Sequence, residues 1–310
     1  MARKNPYRPF VPDPVQIALK PQISGNAING LGETEPRQPR MVYWAPDPDG
    51  IPHGKLQRYF YTQGGDHAAR AKIREERQAI LDTPLPDVAA VKTDLSEQDW
   101  ENGLERFVAT AACEKVGVAA LDPAWLFEGH DTDLPRVILI GVTHDYDTIA
   151  KAPEPTAKDI ATWIRKNGWQ AEAATGPMTG AIAMIPPALA CGFGELGKHG
   201  SIINPEFGAS FRLSAVLTDA PLPTTPPQAH GIDAFCQNCR ICEDACPPEA
   251  LSPDKQTVRG DTKWYVDFDK CLPFFNQTSG CAICIAVCPW SRPGVGLNLA
   301  EKLGRRAERL

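Results

Sequence analysis

The sequence predicts an α+β chain in two parts, a mixed helix-and-strand region followed by a compact cysteine-rich module. Three observations carry this. Short apolar runs of strand type alternate with amphipathic stretches between Ser96 and Leu217. Eight of the ten cysteines fall between Cys236 and Cys288. Between these regions lies APLPTTPPQAH, residues 220–230, which reads as a proline-rich linker.

Residues 1–65 hold prolines at 6, 9, 12, 14, 21, 36, 39, 46, 48 and 52, which leave little room for helices. The expectation is a mostly irregular arm anchored by Tyr43, Trp44, Tyr59, Phe60 and Tyr61. Asp66 to Leu81 reads as a charged, solvated helix. Ser96 and Asp99 have capping-box spacing and open a second helix running to about Cys113, itself a small buried hydrophobe. Val116 to Leu121 and Val137 to Val142 read as strands. Thr156 to Lys166 reads as a helix with Ile160, Trp163 and Ile164 on one stripe. Trp169 to Ala173 returns to the sheet, Ala181 to Cys191 is a buried segment broken by Pro186 and Pro187, and Phe211 to Leu217 is a further strand. The division expected is an arm (1–65), a mixed domain (66–225), a cysteine module (226–296) and a tail (297–310).

Composition excludes several classes. Hydrophobic content of 43% and charged content of 23% are those of an ordinary globular chain. The longest apolar stretch, Met178 to Gly194, is split by its double proline and falls short of the roughly 18–20 residues a spanning helix needs. The start, Met1-Ala-Arg-Lys-Asn-Pro, has neither an apolar export core nor twin arginines, so a cytoplasmic location without disulfides is expected. A net charge of −6 offers no general attraction to nucleic acid or to an anionic membrane.

Two motifs carry chemistry. Cys191-Gly-Phe-Gly-Glu-Leu-Gly-Lys-His-Gly200 places four glycines in nine residues, which demands tight turns and close backbone approach. Its GxGxxG spacing is not preceded by a strand pattern, so it is not a dinucleotide fingerprint. The second motif is Cys236, Cys239, Cys242 and Cys246-Pro247, a CxxCxxCxxxCP run of the kind that holds two 4Fe–4S clusters. Cys271, Cys281, Cys284 and Cys288-Pro289 repeat its logic with a longer gap. In such runs the fourth cysteine crosses to the other cluster. That assigns Cys236, Cys239, Cys242 and Cys288 to cluster 1, and Cys246, Cys271, Cys281 and Cys284 to cluster 2. Two structural zinc sites are the competing reading, disfavoured by the paired CxxxCP runs. Some 225 residues precede the module, so the electrons it relays are expected to serve chemistry there.

With these motifs in order, the chain resembles the catalytic subunits of corrinoid-dependent reductive dehalogenases. The resemblance runs through Val137 to Asp147, Gly192 to Gly200, Asn204-Pro-Glu-Phe-Gly208 with Arg212-Leu213, and both cysteine runs, over about residues 95–296. The architecture is also similar to epoxyqueuosine reductase. The resemblance implies a nitroreductase-like α/β cobalamin-binding domain followed by a ferredoxin-like domain with two 4Fe–4S clusters. It implies base-off cobalamin approached by the glycine-rich loop, whose missing Cβ atoms would then be excluded by the corrin. The loop residues so implied are Gly194, Leu196, Gly197, Lys198 and Gly200, with Phe207 and Gly208. There is no DxHxxG ligation motif, since Asp66-His67 is followed by Ala-Ala-Arg. The implied reaction sends electrons through the clusters to form cob(I)alamin, which removes a halide or another leaving group from a small organic substrate.

The family's proton-donating tyrosine has no counterpart, because no tyrosine lies between Tyr146 and Tyr265. Arg212 matches the basic partner of that donor, and Asp145 and Tyr146 are the candidates to replace it. His144 and His199 read as structural. Two other functions compete. The Asp145-Tyr146 pair favours epoxide reduction on tRNA, whereas the acidic balance and the 22 residues after Cys288 argue against a nucleic-acid partner. A non-catalytic electron-transfer subunit would need no corrin. As no flavin or nicotinamide segment is seen, an external ferredoxin, flavodoxin or reductase is the expected electron donor. A homo-oligomer is allowed, and AEKLGRRAERL at 300–310 reads as a basic, solvated tail.

Overall fold

The computed structural model describes residues 9–63, 67–143, 154–175 and 180–307. In chain order the helices are α1 (Pro14–Leu19), α2 (Gly25–Ile28), α3 (Gly54–Thr62), α4 (His67–Asp82), α5 (Glu97–Ala109), α6 (Glu154–Lys166), α7 (Ile185–Ala190), α8 (Ile232–Asn238), α9 (Ile241–Ala245), α10 (Phe268–Gln277), α11 (Ile283–Ala286) and α12 (Val295–Ala307). The strands are β1 (Lys115–Ala120), β2 (Arg136–Thr143), β3 (Ala171–Ala174), β4 (Glu195–Leu196), β5 (Ile202–Ile203), β6 (Phe211–Thr218), β7 (Gln256–Val258) and β8 (Asp261–Lys263). Contacts divide the chain into two compact units: Ala69–Gly194 with Ser210–Gln228, and Met1–Ala68 with Glu195–Ala209 and Ala229–Leu310. The arm, the second half of the glycine-rich loop and the tail therefore group with the cysteine module, where the sequence alone had separated them.

The first unit is built on a four-stranded antiparallel sheet in the order β1-β2-β6-β3. Strand β2 is an unbroken apolar run because both its faces are covered. Ile138, Ile140 and Val142 face a core shared with Trp100 and Leu104 of α5 and with Ala157, Ile160, Ala161 and Ile164 of α6. On the sheet's other side, a Cβ at Gly117 would meet the Cys191 carbonyl at 2.6 Å, and one at Gly141 the Phe193 ring at 2.6 Å. Both glycines let α7 and the residues after it lie close on the strands.

Local chemistry sets the helix ends. Ser96 Oγ accepts from the Asp99 amide at 3.2 Å, and the Asp99 carboxylate accepts from the Ser96 amide at 3.1 Å, a complete capping box. Lys158 donates to the Leu81 and Thr83 carbonyls at 2.9 and 2.7 Å, tying α6 to the last turn of α4. Pro186 and Pro187 do not break a segment, as the sequence implied. They lie in the first turn of α7, where proline has the required φ and no amide is missed. Cys113 is buried in the core as expected, and burial pushes its thiol up to about 11.

In the second unit the arm is mostly irregular, as expected, but carries more helix than its prolines implied. Residues 14–62 carry α1, α2 and α3 and a 3-10 turn at Pro48–Gly50. Pro14 heads α1 behind the Asp13 cap and Pro48 heads the 3-10 turn, so these prolines start helices. Ile28, Val42, Tyr43 and Leu56 pack on Leu272 of α10, joined by Trp44, Phe60, Phe268 and Phe275. At α2 the first turn is held by a distant side chain. Asp269 accepts from the Ser24 hydroxyl and from the Gly25 amide at 3.1 Å. Burial would raise the Asp269 carboxyl, but these donors outweigh it and hold it below the usual carboxylate range. The tail is likewise structured, since Leu299, Ala300 and Leu303 of α12 pack against the cluster of Ile203, Ile232, Cys236, Trp264, Cys288 and Trp290.

Candidate iron–sulfur centre and its supporting loop

The cysteine runs fold as short helices with ligand candidates at or near their ends. Cys236 lies near the end of α8 and Cys239 caps it; Cys242 lies in α9 and Cys246 caps it. Cys271 is in α10, Cys284 in α11, and Cys288 precedes the 3-10 turn at Pro289–Ser291. Turns this short leave helix-end amides free to meet sulfur. Such amides reach Cys242 from Glu243, Cys281 from Ile283, and Cys288 from Trp290 and Ser291, while the loop amide of Lys198 reaches Cys236. The Ala250 amide donates to Cys246 Sγ at 3.4 Å.

The thiols assemble in two groups. Cys236 feels the charge of Cys288 and Cys239, and Cys242 that of Cys236, Cys239 and Cys288. Cys271 feels Cys246 and Cys281, while Cys284 feels Cys271, Cys281 and Cys246 and, across the groups, Cys242. Burial first, and then these neighbours, pushes Cys236 up to about 11 and Cys242, Cys271 and Cys284 up to about 12. Buried thiols of this kind ionise only when a metal supplies the compensating charge, so loading releases protons. Eight soft donors in two sets of four suit 4Fe–4S clusters. Among the described residues no group of three His, Cys, Asp or Glu is placed to hold a single metal ion.

The segment Glu195–Ala209 belongs to this centre. Glu195 accepts from the His230 amide at 2.6 Å and the Ile232 amide at 3.1 Å, and so caps the start of α8. Three residues on, the Lys198 amide meets Cys236, and the Lys198 ammonium lies 3.4 Å from Glu243, the neighbour of Cys242. His199 accepts at Nδ1 from the Ser201 amide at 3.2 Å, which places its proton on Nε2. Among the described residues that Nε2 is buried without a partner, and burial lowers the imidazole to about 4, so it is neutral. Asn204 and Gly208 exchange backbone hydrogen bonds at 2.8 Å, closing Pro205-Glu-Phe207 into a tight turn.

The glycines receive a different explanation from the one expected. At Gly208 (φ +71°) a Cβ would lie 2.7 Å from Ser291 Cα and 3.0 Å from the Trp290 carbonyl. At Gly197 it would meet Ile203 and His199 at 2.6 and 2.9 Å, and at Gly200 Val266 at 2.8 Å. At Gly208 the chain's own backbone thus excludes a side chain, whereas at Gly197 and Gly200 neighbouring side chains would have to shift.

Among the other expected site residues, Leu196 is in β4, Phe207 is half-buried in the turn, and Gly194 has φ +130°. Arg212 is half-buried on β6 opposite Val142, three residues before Asp145. His144, Asp145 and Tyr146 lie outside the described residues. Glu195, Glu243, Trp264 and Ser291 were not legible as site residues, because each acts on a partner remote in sequence or through its own backbone.

Comparisons with known proteins follow this geometry. A family model described as a 4Fe–4S dicluster domain matches residues 235–291. A tetrachloroethene reductive dehalogenase of Desulfitobacterium hafniense is 30% identical over 222 residues, covering 62% of this chain and 39% of that protein. An epoxyqueuosine reductase of Leadbetterella byssophila is 30% identical over 117 residues, 32% of this chain and 34% of that protein. A solved reductive dehalogenase, reported with a mechanism for B12-dependent dehalogenation, superposes with a TM-score of 0.69 at 18% identity, covering 92% of this chain and 47% of that one. The chain therefore spans less than half the length of these relatives. No helix among the described residues is long and apolar enough to cross a membrane. The chain is a relative of the reductive dehalogenases, with their fold and a 4Fe–4S dicluster domain.

Proposed function

We propose that the chain is a reductase using two 4Fe–4S clusters and a base-off cobalamin to remove a halide or another leaving group from a small organic substrate. The observation that carries this reading is the pair of four-thiol groups, one of them braced by the loop Glu195–Gly200. Cys236, Cys239, Cys242 and Cys288 hold one cluster, and Cys246, Cys271, Cys281 and Cys284 the other. An external ferredoxin, flavodoxin or reductase delivers single electrons to them.

For the corrinoid, the fit rests on an open donor. His199 Nε2–H is buried and unpartnered within the loop assigned to that group, and amide carbonyls of a corrin ring would accept from it. Gly194, Leu196, Gly197, Gly200, Phe207 and Gly208 complete the contact. When bound, the corrinoid supplies a strongly reducing cobalt centre. This chain's residues supply the proton. Asp145 or Tyr146, the donors the sequence offers, would give it, and the Arg212 cation would stabilise the anion left behind.

Metal analysis after anaerobic purification with cobalamin supplied tests this. About eight iron and one cobalt per chain are expected. Iron without cobalt, and no corrin uptake, would leave an electron carrier; zinc in place of iron would remove the cluster reading altogether.

A further inference from the structure

Lys198 is an unusual side chain for a loop. Its side chain is 2% exposed, yet it carries a charge. The ammonium lies 3.4 Å from Glu243 Oε2 and 5.0 Å from the centroid of the Trp264 ring. Glu243 is only 11% exposed and also accepts from Arg240 at 2.7 Å. Trp264 is pinned in turn, donating from Nε1 to Asp233 Oδ1 at 2.9 Å. A buried cation needs a reason beyond its one carboxylate, since an apolar pair of the same shape would cost less. Position gives that reason. The Lys198 amide donates to Cys236, its ammonium also acts electrostatically on that thiol, and its counter-ion is adjacent in sequence to Cys242.

We infer that the buried Lys198–Glu243 pair sets the reduction potential of the cluster held by Cys236, Cys239, Cys242 and Cys288. This rests on the two-cluster reading above. A 4Fe–4S core of charge +2 with four thiolates carries −2 overall. One electron from a ferredoxin- or flavodoxin-class donor takes it to −3, with no bond broken and no proton moved. The added charge resides on a cluster whose ligand Cys236 is within electrostatic reach of a buried ammonium, where water screens poorly. Lys198 therefore favours the reduced form and Glu243 opposes it, so the two residues act with opposite sign on one cluster and leave the other alone.

The test is an anaerobic dithionite titration of the full chain, followed by electron paramagnetic resonance, with iron content measured in parallel. Lys198→Met is expected to lower the potential of one cluster, and Glu243→Gln to raise it. Each shift corresponds to about a tenfold change in the one-electron reduction constant, about 59 mV. The second cluster stays within a small fraction of that. With iron retained, unmoved potentials, shifts of the same sign in both variants, or equal shifts of both clusters overturn the assignment. If Lys198→Met loses its iron, Glu243→Gln decides alone: a rise upholds the assignment and no rise overturns it. Loss of iron from both variants also overturns it, because the pair is then structural. Wild-type chain without iron would instead sink the cluster reading itself.

Discussion

Asn276 Nδ2 donates to Gln16 Oε1 at 2.9 Å, joining residues 260 apart in sequence inside the cysteine unit. Asn276 is fully buried, and its Oδ1 accepts from the Tyr43 hydroxyl at 2.5 Å. Gln16 Nε2 in turn donates to the Pro273 carbonyl at 2.9 Å, the acceptor on α10 two residues after Cys271. One amide thus links α1, the segment before α3, and the helix that carries Cys271.

Asn276→Ala should therefore destabilise the chain by about 2–6 kcal/mol. It strands the Tyr43 hydroxyl and Gln16 Oε1, each at about 1–3 kcal/mol. Urea unfolding measures the loss. Iron should fall as well, since Cys271 is on the loosened helix; unchanged stability would mean the arm contributes little to the unit.

Glu195→Ala tests the cap on α8. Removing an acceptor shared by the His230 and Ile232 amides should cost about 1–2 kcal/mol. The start of α8, the helix that carries Cys236, should then fray, which hydrogen exchange at Ile232 and Asp233 would read directly. Glu195→Gln should recover part of the loss, because its amide oxygen still accepts.

Gly208→Ala and Gly294→Ala separate packing from backbone strain. Both glycines have φ near +70°, but a Cβ at Gly294 meets nothing within 4 Å, whereas at Gly208 it overlaps Ser291 and Trp290. Both variants bear the left-handed cost, and Gly208→Ala should lose about 1–3 kcal/mol more. The difference should appear in protein free of corrinoid. Equal losses would return the explanation to a bound cofactor.

The acid limb of stability should depend on His199. Its folded value of about 4 lies below the unfolded 6.5, so below pH 6.5 the unfolded chain takes up a proton that the folded chain refuses. Stability from this group is complete above pH 6.5 and is lost as pH falls towards 4, by roughly 3 kcal/mol in all. His53, buried with both ring nitrogens lacking a hydrogen-bond partner among the described residues and also lowered chiefly by burial, acts in the same direction. Denaturant midpoints between pH 7 and 4 should fall less steeply in His199→Gln than in the wild type.

Several features were legible in the sequence because they are local. The Ser96–Asp99 cap, the β2 apolar run and the Ile160/Ile164 stripe depend on residues a few positions apart, and the structure contains all three. The prolines told only part of the story for a related reason. Proline forbids a helix interior but favours a helix start, and a bare count of prolines in residues 1–65 does not separate the two. Pro14 and Pro48 both stand at starts.

By itself the sequence determined the order and spacing of the candidate donors, because cysteine spacing is covalent and dictates which thiols one short loop can present together. Tertiary structure alone decided what surrounds them. Glu195 reaches α8 across 35 residues, Lys198 reaches Glu243 across 45, and Ser24 reaches Asp269 across 245. Nothing in local periodicity encodes such pairs. They form because burying a charge or an orphan amide is costly without a partner, and only the folded chain determines which partner is near.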